Sequence, residues 1–93
     1  MRIIGSIEHP DYKITVFRMD NRLSIKLENA SAEQTYKFRA GDGMESMEDV
    51  RRLVDPVFLE KADQVFQLMQ ENVRSTSLRR QTAADADDFE EII

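Results

Sequence analysis

Ninety-three residues carry thirteen Lys and Arg against eighteen Asp and Glu, a formal net charge of −5 that excludes a uniformly basic nucleic-acid coat. A chain this short supports one domain with a small core, burying roughly 60–65% of the surface its unfolded form exposes. The absence of Cys removes disulfides, thiolate nucleophiles and Cys-based zinc sites together, and fits a reducing compartment.

The first residues, Met1-Arg2-Ile3-Ile4-Gly5, reach Glu8 before an apolar stretch of signal-peptide length forms. No later run approaches the roughly 18 apolar residues of a membrane span, so a cytoplasmic protein with no membrane partner is expected. From Tyr12 to Met19, Tyr12, Ile14 and Val16 alternate with Lys13 and Thr15, the period of a half-buried strand. Asp20-Asn21 follows, two residue types that tolerate the positive φ of a two-residue hairpin turn. Arg22 to Glu28 alternates again. Pairing Met19 with Arg22 across that turn sets Val16 opposite Ile25 and Ile14 opposite Leu27, while Thr15 meets Lys26 and Lys13 meets Glu28. The turn and the hydrophobic pattern therefore agree on one register.

Carrying the same rule across Ala30-Ser31-Ala32-Glu33 pairs Leu27 with Tyr36 and Ile25 with Phe38. Carried back across Glu8-His9-Pro10-Asp11, it pairs Ile7 with Tyr12 and Ile3 with Val16. A four-stranded meander results, its apolar face holding Ile3, Ile7 and Tyr12 with the Ile, Val and Leu of the central hairpin, then Tyr36 and Phe38. Gly5 on that face leaves room for something packed close above it.

Gly41-Asp42-Gly43 breaks the last strand. Ser46-Met47-Glu48-Asp49 has the form of a capping box, which predicts a helix starting near Met47. Pro56 ends it near Val54, with Asp55 as the next N-cap and Pro56 as the first residue of a second helix. Phe58, Ala62, Val65, Phe66, Met69 and Val73 then form a 3.6-period stripe able to cover the apolar sheet face. Leu59 and Leu68 lie off that stripe, and Val50, Leu53 and Val54 also need cover. That excess of apolar helix surface predicts a homodimer.

Resolved by segment, residues 1–40 hold seven basic and five acidic side chains, residues 41–75 four and eight, and residues 76–93 two and five. The acidity belongs to the back half. Residues 1–75 are expected to form a single ββββαα domain, an α+β fold with a short helix and a longer amphipathic helix on one sheet face. Residues 76–93 are expected to be a flexible, disordered acidic tail carrying Phe89, Ile92 and Ile93. The opposite charges of tail and front raise the prospect that the tail docks on its own sheet.

Chemistry is sparse. His9, the sole imidazole, precedes Pro10 in a turn, and no second His completes a common transition-metal set. No Ser sits in a nucleophile elbow, and neither a phosphate-binding Gly loop nor a calcium loop occurs. No catalytic residue, metal site or cofactor is assigned, and the chain is read as non-enzymatic.

The polar sheet face is more informative. The predicted register gathers six basic residues there, Arg2, Lys13, Arg22, Lys26, Lys37 and Arg39, against Glu8 and Glu28, with Ile4, Phe17 and Met19 among them. Phe17 offers a stacking surface while Lys26, Lys37 and Arg39 meet phosphates, the combination used by single-strand binders. Two functions are carried forward. The first is a self-associating module that binds a protein partner. The alternative is a single-stranded nucleic-acid binder whose site residues are Phe17, Lys26, Lys37 and Arg39.

Overall fold

The structure, a computed structural model, describes residues 1–87. Four strands, β1 (Arg2–Ile7), β2 (Lys13–Met19), β3 (Arg22–Glu28) and β4 (Glu33–Arg39), are followed by helices α1 (Met47–Leu53) and α2 (Pro56–Asp87). The strands form one antiparallel sheet in chain order, the expected meander. Both helices pack on one face of it, and the core they close contains Ile14, Val16, Leu23, Ile25 and Leu27 from the sheet with Val50, Val54, Ala62 and Phe66 above. No helix of the described residues is long and apolar enough to cross a membrane.

The central hairpin has the predicted register throughout, from Met19 opposite Arg22 to Lys13 opposite Glu28. Asp20 turns the chain at φ 55°, in the left-handed region that its short polar side chain tolerates. The outer pairings differ. In the β3–β4 pair, Ile25 faces Tyr36 and Leu27 faces Gln34, a shift of two residues from the expected partners. The cause is Asn29, whose side-chain oxygen accepts from the amides of Ser31 (2.8 Å) and Ala32 (2.9 Å) and whose own amide donates to the Ala32 carbonyl (3.0 Å). This Asx turn closes the loop earlier than assumed and lets Glu28 pair with Glu33. An even shift keeps every side chain on its face, so the core is unaffected.

The β1–β2 pair is shifted too, with Ile7 opposite Ile14 and Gly5 opposite Val16, and a bulge between Ile3 and Gly5 changes the parity. Ile3 therefore pairs with Phe17 on the open face, 64% exposed, while Ile4 packs against the core. This corrects the expectation that Ile3 points inward and Ile4 outward. Arg2, now opposite Arg18, moves to the helix side. Tyr12 lies just outside β2, its ring tilted against Phe66 with centroids 5.0 Å apart. The space above Gly5 is filled by Met47, the first residue of α1: a Cβ at Gly5 would stand 2.6 Å from the Met47 sulfur.

The helix starts follow the sequence signals. Ser46 caps α1 with a capping box whose other half is the Asp49 side chain, which accepts from the amides of Glu45 (2.9 Å) and Ser46 (3.1 Å) and from Arg52 (2.8 Å). The Arg18 guanidinium donates to the Glu45 carbonyl, tying β2 to the approach to α1. Asp55 accepts from the Phe58 amide at 2.8 Å, and Pro56 opens α2. The helix continues through residues 76–87, in the segment expected to be a tail. Residues 88–93, with Phe89, Ile92 and Ile93, lie outside the described residues.

Candidate interaction surfaces

Placing both helices on one face leaves the other open. The pairings arrange its side chains in rows across the strands: Ile3, Phe17, Ser24 and Lys37 in one, Ser6, Thr15, Lys26 and Thr35 in the next. Flanking these, Met19, Arg22 and Arg39 form a row at one end and Lys13, Glu28 and Glu33 a row at the other. The four residues read from the sequence, Phe17, Lys26, Lys37 and Arg39, share this face. Its basic residues are five, because the bulge removes Arg2. Its strand acids are Glu28 and Glu33, since Glu8 falls beyond the end of β1 and Glu33 opens β4.

Charge on the face is unevenly distributed. Lys26 is half-buried, 3.5 Å from Glu28, with its ammonium 5.4 Å from the centroid of the Phe17 ring. A cation over a ring face is attracted by the ring quadrupole. Arg22 and Arg39 stand directly opposite one another and are exposed. Among the described residues the ion pairs are Lys26–Glu28 and Arg52–Asp49, so neither arginine is neutralised by a neighbouring carboxylate. Ile3 and Met19, the latter 51% exposed, set apolar side chains on the β1–β2 flank of the same surface.

A second surface forms where α2 leaves the sheet. Its 32 residues span about 48 Å at 1.5 Å per residue, against about 24 Å for a seven-residue strand. Phe58, Leu59, Ala62, Phe66 and Met69 pack on the core, but Val73, on the same stripe, lies outside the core cluster and is 66% exposed. Beside it lies a groove of about 830 Å³ bounded by Tyr12, Ala32, Phe66, Met69 and Val73, with Asp11, Glu33, Asp63 and Arg74 among its charged side chains. Tyr12 donates to Asp63 at 2.6 Å, and Gln67 donates to the other carboxylate oxygen at 2.9 Å. Burial, then the hydrogen bond to Asp63 and the negative charges of Asp63 and Asp11, push the Tyr12 phenol up to about 12. His9 stacks on Tyr12 at 4.8 Å, and its Nδ1 accepts from the Asp11 amide.

Sequence reasoning did not find this groove. It joins two turns to a helix, with Tyr12 and Asp63 51 positions apart in the chain, and no local spacing signals such a junction. The apolar excess behind the homodimer expectation is also redistributed. Val50 and Val54 are buried, and Leu53 and Leu59 pack against the core, whereas Val57, Leu68, Val73 and Leu78 of α2 remain exposed, as does Val65, expected on the sheet-facing stripe. No protein-family model matches the chain, and no curated protein or solved structure matches it either.

Proposed function

We propose that this protein is a non-enzymatic interaction module that self-associates, with the projecting part of α2 as the contact. The observation that carries the reading is Val73: the stripe that seals the core continues past Met69, the last of its residues packed there, to Val73, which is exposed. An isolated helical extension of this length is marginal in water, and packing of an apolar face is what ordinarily stabilises one. A second copy supplies complementary charge. The groove carries Asp11, Glu33 and Asp63 beside Arg74, while the helix beyond it carries Arg79 and Arg80. Antiparallel helices related by a two-fold axis at Val73 set Arg80 of one copy level with Phe66 of the other, one turn from Asp63. The interface is isologous, as closed dimers are.

Sedimentation equilibrium from low to high micromolar concentration tests the reading. The wild type is expected to dimerise, and Val73→Asp, a change at an exposed position, is expected to be monomeric with unchanged circular dichroism. A wild type that stays monomeric at high micromolar concentration overturns the proposal.

A further inference from the structure

We infer that the open sheet face binds single-stranded nucleic acid, with the bases on the β1–β2 flank and the phosphates on the β3–β4 flank. This surface lies on the side of the sheet away from α2 and its groove, so the inference is independent of self-association.

Three observations converge on it. First, Arg22 and Arg39 are directly opposite and unneutralised, although like charges across a strand pair oppose folding. With Lys37 two residues along β4, they present three cations at one end of the face, where an anion relieves their repulsion. Second, Ile3, Phe17 and Met19 lie beside these cations rather than among the acids, which occupy the row at the far end. Solvated lysines suffice to keep a sheet surface from aggregating, but they do not account for exposed Ile3 and Met19 beside them. Third, no element of the described residues covers the face.

The ligand class follows from the pairing of an apolar, partly aromatic strip with a cationic strip. A duplex turns its bases inward and has no use for Ile3, Phe17 and Met19, and a peptide of acidic residues alone uses only the cations. An unpaired strand uses both, because each base has a flat face to stack and each phosphate a charge. Lys26, held over Phe17, swings aside as a base takes its place, and its ammonium is then free to meet the adjoining phosphate.

Fluorescence anisotropy of the full chain with a labelled oligothymidylate at low salt tests the inference, with a duplex of equal length and polyglutamate as competitors. Binding is expected to weaken with salt, with a log–log slope of about −2 for three phosphates neutralised. Lys37→Glu and Arg39→Glu alter exposed side chains and should each lower affinity about ten-fold or more. Phe17→Leu keeps apolar volume but removes the ring, and should lower affinity about five-fold or more. Arg51→Glu, on α1, should leave binding unchanged. No binding at low salt overturns the inference, as does polyglutamate or duplex competing as well as the unlabelled strand. Unchanged affinity of Phe17→Leu also overturns it.

Discussion

Replacing Gly5 by Ala introduces one carbon atom into the contact between β1 and the start of α1, where it would meet the Met47 side chain at 2.6–2.9 Å. The backbone does not require glycine, since the positive-φ glycines are Gly41 and Gly43, so the clash is the dominant effect. The obstructing atoms are the far end of a flexible, partly buried side chain, so the cost sits at the low end of the about 1–3 kcal/mol of core overpacking. The smaller entropy of the unfolded Ala chain offsets about 0.4–1 kcal/mol of that, leaving a net loss of at most about 1 kcal/mol. In urea, with a slope of about 1 kcal/mol per molar for a chain this small, the midpoint falls by at most about 1 M. Met47→Ala removes the obstructing atoms. Because Met47 is only partly buried, that change alone costs about 1–2 kcal/mol, less than full core truncation. In the Met47→Ala background, Gly5→Ala becomes neutral or stabilising by up to about 1 kcal/mol. The double-mutant cycle over four urea curves reads the coupling directly. Equal destabilisation by Gly5→Ala in both backgrounds refutes the argument and places the requirement for glycine in the bulge itself.

Tyr12 and Asp49 give pH dependences of opposite sense. The Tyr12 phenol is near 10 when unfolded and about 12 when folded, so its contribution to stability is present below pH 10 and is lost as the pH rises toward 12. Ultraviolet titration of tyrosinate should show this late ionisation, and Asp63→Asn should move it downward; a Tyr12 transition near 10 in the wild type refutes the assignment. Asp49 is held below its ordinary value of 3.8, chiefly by the hydrogen bond from the Glu45 amide, with burial opposing and Arg52 and Ser46 assisting. Its contribution is present above pH 3.8 and is lost as the pH falls through the lower folded value. Removing the cap with Ser46→Ala should cost about 1 kcal/mol in thermal or urea unfolding, and no change would mean that α1 is held by Val50 and Met47 alone.

The parts of the fold legible in the sequence are those where two local signals coincide. At the central hairpin, a two-residue turn and alternation on both strands admit one register. At α1 and α2, the Ser46 and Asp55 caps and Pro56 mark starts to the residue. The β3–β4 register is hidden because Asn29 closes its loop by side-chain hydrogen bonds, an option that leaves no trace in hydrophobic period. One result is that Gln34 is buried, donating to the Ala62 carbonyl at 2.8 Å and accepting from the Tyr36 hydroxyl. The β1 bulge is hidden because Ile3 and Ile4 are equally apolar, and only the close packing of Met47 on Gly5 shows how the strand is seated. The length of α2 escapes notice because no glycine stops it, and the Ala-rich stretch after Thr82 favours helix as much as it resembles a tail. Of the candidate site, the membership of Phe17, Lys26, Lys37 and Arg39 on one face is legible from alternation alone, whereas the groove depends on contacts between distant segments.

Because each strand pairs only with its neighbour in the chain, the sheet is assembled from short loop closures, whose entropic cost grows slowly with length. The links of long sequence separation are those from the sheet to the helices, such as Gly5 to Met47, Tyr12 to Asp63 and Gln34 to Ala62. During synthesis, all four strands emerge before the helix that dries their inner face. Low contact order makes the meander fast to form, and docking of α2 is the step that commits it. A ribosome pausing between β4 and α2 would hold a paired sheet with both faces wet, the state in which this chain is most open to a chaperone or to another sheet.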